Sequence, residues 1–392
     1  MTLIRRPVLI LRARSGVTLI EILIVMAIVV LLAGLTLPSL KNLLKDQRIG
    51  QAARVVQGFA ESARARSIAT GRQVALVLER SRIDGDGGAG SDGLIANDTC
   101  IRMSLGEVFP PYEGDWSGTT AAVYDVSNDG YVDWMEIDPA QAASLTGAFP
   151  LVSAGDIVEL ADRQQRFVIN EIDFKASVTG SGIMKVRIDL INPPFNYGLQ
   201  TNEANWPLTP ALGSGEECRF RIYRKPAKMM AGSVVLPRGT CIDLSMSGVG
   251  PEGREFSTMS ITPTGTSPTS GDYGATSLVF GPRGTLESVS YQQRAIVGGN
   301  VIASLEQVLP NGIYHLLIGR TDQVDPMYGT PSSFAAVSTR DGYKPNLIDP
   351  ANVWVSINPY SGMIYSSPVN VGAGDVLSAR LMASSGVLRP GK

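Results

Sequence analysis

The residues most able to do chemistry together are oxygen donors. Asp125, Ser127, Asp129, Asp133 and Glu136, with the backbone carbonyl of Tyr131, recur through the run Asp125-Val126-Ser127-Asn128-Asp129-Gly130-Tyr131-Val132-Asp133-Trp134-Met135-Glu136. This spacing suits Ca²⁺, which takes six to eight oxygens, with a glycine where the chain turns sharply and a bidentate Glu closing the sphere. The same letters suit an acidic Asn-Asp-Gly hairpin turn that holds no ion. The flanks favour neither: Ala121-Ala122-Val123-Tyr124 reads as a strand, and 139–146 as a short helix. A second acid stands out by isolation, since Glu21 is the one ionisable group between Val17 and Leu37. A carboxylate inside a membrane span costs about 2.5–3.5 kcal/mol, so such a residue is a functional candidate.

Other chemistries find little support. His315 is the only histidine and sits in the apolar run Tyr314-His315-Leu316-Leu317-Ile318, where a structural role is expected. A lone histidine argues against Ser-His-Asp, Cys-His and multi-histidine metal sites. Gly85-Asp86-Gly87-Gly88 and Gly281-Pro282-Arg283-Gly284 lack a P-loop lysine and a strand–helix context for nucleotide binding. A carboxylate-pair glycosidase would need two acids at a set separation, which a sequence does not give. The expectation is a protein that is not an enzyme. Cys100, Cys218 and Cys241 form neither a disulfide framework nor a metal knuckle. Cys218 and Cys241 flank two strand-like runs and could pair if the chain crosses a membrane; the alternative is three buried thiols.

The elements that must carry these residues begin with Val17–Leu37, a run rich in Leu, Ile and Val. As a helix rising about 1.5 Å per residue it spans roughly 30 Å, a hydrocarbon core, with its backbone satisfied internally. Arg5, Arg6, Arg12 and Arg14 precede it and would hold the N-terminus in the cytoplasm. A cleaved secretory signal would have a shorter apolar core and a small-x-small site near its end. A plain signal anchor accounts for everything except Glu21. From Ser39 to Thr70 the pattern stays helical, with Leu40, Leu43, Leu44, Ile49, Ala52, Val55, Val56, Phe59, Ala63 and Ile68 mostly three or four apart. Gly71 suits a C-cap, and Gln73–Leu78 reads as a strand.

Gly16-Val17-Thr18-Leu19-Ile20-Glu21 resembles the prepilin signature: a small residue at the cut, an apolar start, then Thr, Leu, an aliphatic residue and Glu. Pro38 falls where that superfamily commonly carries a helix-kinking proline. The resemblance implies cleavage between Gly16 and Val17 by prepilin peptidase and N-methylation of Val17, although Phe or Met is more usual there. It also implies that Glu21 docks the helix during assembly, against a neighbour's α-amino group. Ala63-Arg64-Ala65-Arg66-Ser67-Ile68-Ala69-Thr70-Gly71-Arg72 resembles the helix end of H-type pseudopilins and FimT-like minor pilins. Phe220–Arg224, Gly232–Gly239, Ile242–Ser245 and Leu278–Thr285 resemble later strands of that body. The resemblance covers 17–80 and 218–290. Some members of the superfamily use Ca²⁺ to fix loops, but no family residue maps onto 125–136.

Charge is unevenly spread. Residues 1–16 carry +4, Glu21 −1 and residues 41–72 +5, so with the chain at −2 the remaining 73–392 carry −10. An acidic body on a basic stem argues against a nucleic-acid partner. The stem arginines read as a solvated face or as contacts to acidic neighbours in a filament. Residues 79–217 read as an insertion, with a meander over 155–192 closed by Pro193-Pro194. Residues 291–392 read as an extension whose Asn358-Pro359-Tyr360-Ser361-Gly362 turn echoes Gly281–Thr285.

The expected fold is therefore α+β: a long N-terminal helix, half membrane and half amphipathic, packed on an antiparallel β body with a large insertion and a C-terminal extension. The expected organisation is a leader (1–16), an assembly helix (17–70), a body (71–290, insertion 79–217) and an extension (291–392). The expected role is a minor pseudopilin of a type II secretion pseudopilus, single-pass in the inner membrane with its body outside the cytoplasm. Its partners would be other pseudopilins or pilins and prepilin peptidase. A minor type IV pilin in adhesion or DNA uptake, or a membrane-tethered binding module, are the alternatives.

Overall fold

A computed structural model of the chain describes residues 19–81, 98–124, 132–145, 150–160, 165–177, 182–191, 215–249, 255–257, 259–262, 265–268, 275–297, 300–308, 310, 312–324, 344–370 and 376–385. In chain order the elements are α1 (Leu19–Thr70), β1 (Val74–Arg80), β2 (Thr99–Glu107), β3 (Ala121–Tyr124), β4 (Trp134–Ile137), β5 (Ile157–Leu160), β6 (Gln165–Ala176), β7 (Met184–Ile191), β8 (Glu216–Cys218), β9 (Phe220–Tyr223) and β10 (Ala227–Val235). They continue with β11 (Thr240–Gly248), β12 (Met259–Thr262), β13 (Gly265–Pro268), β14 (Thr276–Phe280), β15 (Leu286–Val297), β16 (Asn300–Val308), β17 (Tyr314–Arg320), β18 (Val353–Ile357), β19 (Ile364–Pro368) and α2 (Val376–Ser385).

The chain divides into two compact units, Met1–Gln47 and Arg48–Lys392. In the first, every large apolar side chain from Leu19 through Leu32 is more than half exposed. Among the described residues no helix is long and apolar enough to cross a membrane.

In the second unit ten strands form one antiparallel sheet, in the order β16-β15-β14-β1-β2-β11-β17-β18-β19 with β10 beside β2. β1 is central: Val74 faces Phe280 on one side and Glu107 on the other, and its apolar residues are buried on both faces. The helical stretch Arg48–Thr70 lies on one face. It buries Ile49, Ala52, Ala53, Val56, Ala60, Ala63 and Ser67, a stripe at helical spacing whose small side chains let the helix approach the sheet closely. That stripe shares a core with Leu76, Met103, Leu244, Phe280, Leu316 and Val355. The opposite face is covered by α2, where Val376, Ala379 and Ala383 meet Met246, Leu317 and Trp354. Gly71 ends the helix at φ 64, a left-handed conformation that glycine takes at little cost.

The α+β expectation is corrected. Among the described residues the chain is mostly β, built from three antiparallel sheets, and the helical stretch that lies on the body is short. Two features of the sequence reading account for the difference. The segment read as an insertion supplies most of a seven-stranded sheet, β8-β3-β4-β7-β6-β5-β9, with its own core around Met135, Val158, Phe167 and Ile188. The segment read as an extension adds β17, β18 and β19 to the first sheet through β11. Phe220–Tyr223, expected in the pilin-like body, pairs instead with β5 of the second sheet, Leu160 opposite Phe220. A small third sheet is the β12–β13 hairpin.

One buried ion pair ties the first sheet together. Arg80 and Asp98 approach to 3.5 Å with both side chains almost fully buried. Arg80 also donates to the Phe256 carbonyl at 2.8 Å, and Ser257 donates to Asp98 at 3.1 Å. These extra bonds satisfy groups whose desolvation the ion pair alone would not offset.

Candidate functional site

Arg64, in the Ala-Arg-Ser helix end, reaches out of α1 to two turns. Its Nε donates to the Gly284 carbonyl at 3.0 Å and its Nη2 to the Ser361 carbonyl at 3.2 Å. The first turn joins β14 to β15 and the second joins β18 to β19. In the strand order β15 and β18 are separated by β14, β1, β2, β11 and β17, yet the Leu286 N–H donates to the Pro359 carbonyl at 3.0 Å. The sheet therefore curls around one side of Arg48–Thr70, and its two Pro-x-Gly-type turns meet at Arg64. Gln57 reinforces the far end by donating to the Ile364 carbonyl at 3.4 Å.

Both turn glycines are required. Gly284 and Gly362 have φ values of 75 and 64. A Cβ on Gly362 would lie 1.8 Å from the Gly284 carbonyl oxygen, and one on Gly284 would lie 2.6 Å from Ile68 Cδ1. The echo between the two turn sequences thus has a structural use: each presents a backbone carbonyl to the same guanidinium. Arg64 was expected to be a solvated or filament-facing residue; its fork is spent inside the subunit.

The assembly residues lie elsewhere. Gly16 and Val17 lie outside the described residues. Glu21 is in the first turn of α1, among exposed Leu19, Ile20, Ile22 and Leu23. Pro38 falls within α1.

For the oxygen-donor run, Asp125, Ser127, Asp129 and Tyr131 lie outside the described residues. Its flanks are strands, not helices: β3 and β4 pair antiparallel with Tyr124 opposite Trp134, and the Asp133 N–H donates to the Tyr124 carbonyl at 2.8 Å. Glu136 is a buried residue of β4 and accepts from Ser177 Oγ at 2.9 Å. Binding an ion through Glu136 would draw it away from that partner. Among the described residues no cluster of three or more His, Cys, Asp or Glu is placed to hold a metal.

Cys218 and Cys241 are not paired. Cys218 is half-buried in β8 of the second sheet, Cys241 is buried in β11 of the first, and all three cysteines are free. Burial raises the Cys100 thiol to about 12. His315 is buried, with Nδ1 2.8 Å from Ser356 Oγ and its ring edge-on to Trp354. Burial, helped by the nearby Arg380 charge, lowers its pKa to about 3, so it is neutral. Ser356 is fully buried too, and the pair offers no approach for a substrate.

A second polar centre was not singled out by the sequence. Asp243 of β11 accepts from the Ser245 N–H at 3.1 Å and from Asn346 Nδ2 at 2.8 Å. Burial raises its carboxyl to about 7. Comparison with protein-family models, with curated proteins and with solved structures returns no match for this chain.

Proposed function

We propose that the chain is a minor pseudopilin-like structural subunit of a type II secretion pseudopilus. Prepilin peptidase cuts it between Gly16 and Val17, Val17 is N-methylated, and the N-terminal helix assembles with the helices of other pseudopilins. The precursor is held in the inner membrane by Val17–Leu37, with its body outside the cytoplasm. The observation that carries this reading is Glu21, a lone carboxylate one helical turn after the cut, in a segment whose described apolar side chains are exposed all round. An exposed apolar surface of that extent needs lipid or neighbouring helices to cover it. On this reading the Glu21 carboxylate docks against a neighbour's α-amino group during assembly, an ion pair that offsets the cost of holding the charge in an apolar surrounding. The role is mechanical: the helix polymerises and the curled sheet presents the rest.

N-terminal sequencing of the mature protein tests this reading. The expected first residue is Val17, carrying a methyl group detectable by mass spectrometry. An intact Met1, or a cut beyond Leu37, would sink it. A minor type IV pilin acting in adhesion is the second reading, and the separate seven-stranded sheet favours it, because assembly through the helix gives that sheet no task. Loss of secretion without loss of piliation on gene deletion supports the first, and the reverse supports the second.

A further inference from the structure

At the β9 edge of the seven-stranded sheet, residues 113–119 fold back on themselves and wall a cavity of about 530 Å³, lined also by Glu159, Arg219 and Arg221. The loop is anchored at every turn. Tyr112 exchanges both backbone bonds with Ile222 of β9, at 2.9 and 2.8 Å. Gly114, at φ 100, brings the chain so close to Thr119 that a Cβ would lie 2.3 Å from it. The Asp115 carboxylate accepts from Tyr112 Oη at 2.9 Å, from the Ser144 N–H at 3.0 Å and from Ser144 Oγ.

Trp116 sits in the middle of this anchored loop. Its carbonyl accepts from Thr119 Oγ1 at 2.7 Å, and its indole Nε1 donates to the Ala140 carbonyl at 3.1 Å. The residue is nonetheless 68% exposed. A large aromatic side chain held at both ends, with its one donor already used, offers a ligand only its flat face. Around it the cavity is polar and of mixed charge. Arg221 pairs with Glu113 at 2.8 Å and stands opposite Glu159 across the β5–β9 pair. Three carboxylates, Glu113, Asp115 and Glu159, face two guanidiniums, Arg219 and Arg221, a balance of −1.

We propose that this cleft binds a neutral saccharide, with one sugar ring stacked on Trp116 and its hydroxyls bonded to the Arg221–Glu113 pair and Glu159. Each part of the chemistry excludes a competitor. An anionic ligand would meet a net negative wall. An apolar peptide would take the charged wall out of water and offer it no hydrogen bond in return. A pyranose has an apolar C–H face for the indole and vicinal hydroxyls that both accept from arginine and donate to carboxylate. The cavity volume is within the range of small-molecule sites. The proposal concerns the second sheet alone and stands whether or not the helix assembles into a filament.

The test is isothermal titration calorimetry on the full chain in a non-glycosidic detergent, so that the micelle is not itself a ligand. The probes are maltose, cellobiose and N,N′-diacetylchitobiose. At least one is expected to bind. Trp116→Ala is expected to weaken that binding by about tenfold or more, the value of one aromatic stacking contact. Trp116→Phe, which keeps a flat ring without the bond to Ala140, should retain most of it, and Arg221→Ala should weaken it with an unchanged melting temperature. No heat from any probe, binding indifferent to Trp116→Ala, or tighter binding of a sulfated disaccharide than of the neutral ones would each overturn the assignment.

Discussion

The guanidinium of Arg64 donates through Nε to the carbonyl of Gly284, 220 residues further along the chain, and through Nη2 to Ser361. The planar fork of arginine suits two carbonyls on neighbouring turns, which a single ammonium would serve less well. This contact joins the helix to both halves of the strand order. It converts an open sheet into one that curls around the helix.

Arg64→Ala is expected to destabilise the body by about 2 kcal/mol, within the range for losing hydrogen bonds to a charged donor at a partly exposed site. Arg64→Lys should recover less than half of the loss. Urea unfolding followed by circular dichroism measures both, and an unchanged midpoint for Arg64→Ala would show that the curl does not depend on this residue.

Gly362→Ala should cost more than its backbone conformation alone accounts for. Left-handed φ costs an ordinary residue about 1–2 kcal/mol, and here the added Cβ would also press on the Gly284 carbonyl. Gly239→Ala is the control, because Gly239 has φ 82 but open space around it. The prediction is that Gly362→Ala lowers the unfolding free energy by at least about 1 kcal/mol more than Gly239→Ala. Equal losses would mean that the two turns do not touch in solution.

Two buried groups give the body opposite pH dependences. Burial raises Asp243 from its usual 3.8 to about 7, so the folded state binds a proton that the unfolded state releases. Its contribution is present in full below pH 3.8 and is lost as pH rises towards 7. Burial lowers His315 from 6.5 to about 3, so the unfolded state binds the extra proton. That contribution is present above pH 6.5 and is lost as pH falls towards 3. The two slopes partly cancel between pH 6.5 and pH 4 in the wild type. Asp243→Asn removes one of them, and its stability should then fall more steeply than the wild type's as pH drops from 6.5 to 4. Denaturant titrations at a series of pH values read this directly; parallel profiles would contradict it.

The proposed pseudopilin role predicts that Glu21→Ala leaves cleavage after Gly16 and insertion unchanged but abolishes incorporation into a filament. Filament fractions probed with an antibody to the body report the result. Normal incorporation would favour a tethered module that never polymerises.

What could be read from the chain followed local rules. The amphipathic stripe from Ile49 to Ala63 and the cap at Gly71 rest on neighbours within a turn or two. The strand read at Gln73–Leu78, which the fold places at Val74–Arg80, was legible for the same reason, since it follows directly on the glycine cap. Partnership between distant strands has no such mark. That β17 to β19 would extend the first sheet, and that Phe220–Tyr223 would leave it for the second, was decided by which apolar faces could be buried together. Arg64 shows the limit most clearly. Its charge and helical position make it look solvated, and only the meeting of two turns in space gives it Gly284 and Ser361 as acceptors. Trp116 lacked even a motif, because its exposure depends on a bond it donates to Ala140 and one it accepts from Thr119, which hold it away from any core. The sequence by itself determined the segments and their apolar faces, which are properties of short-range pattern. The tertiary structure decided strand order, the curl of the sheet and the open cleft, because those depend on contacts between residues far apart in the chain.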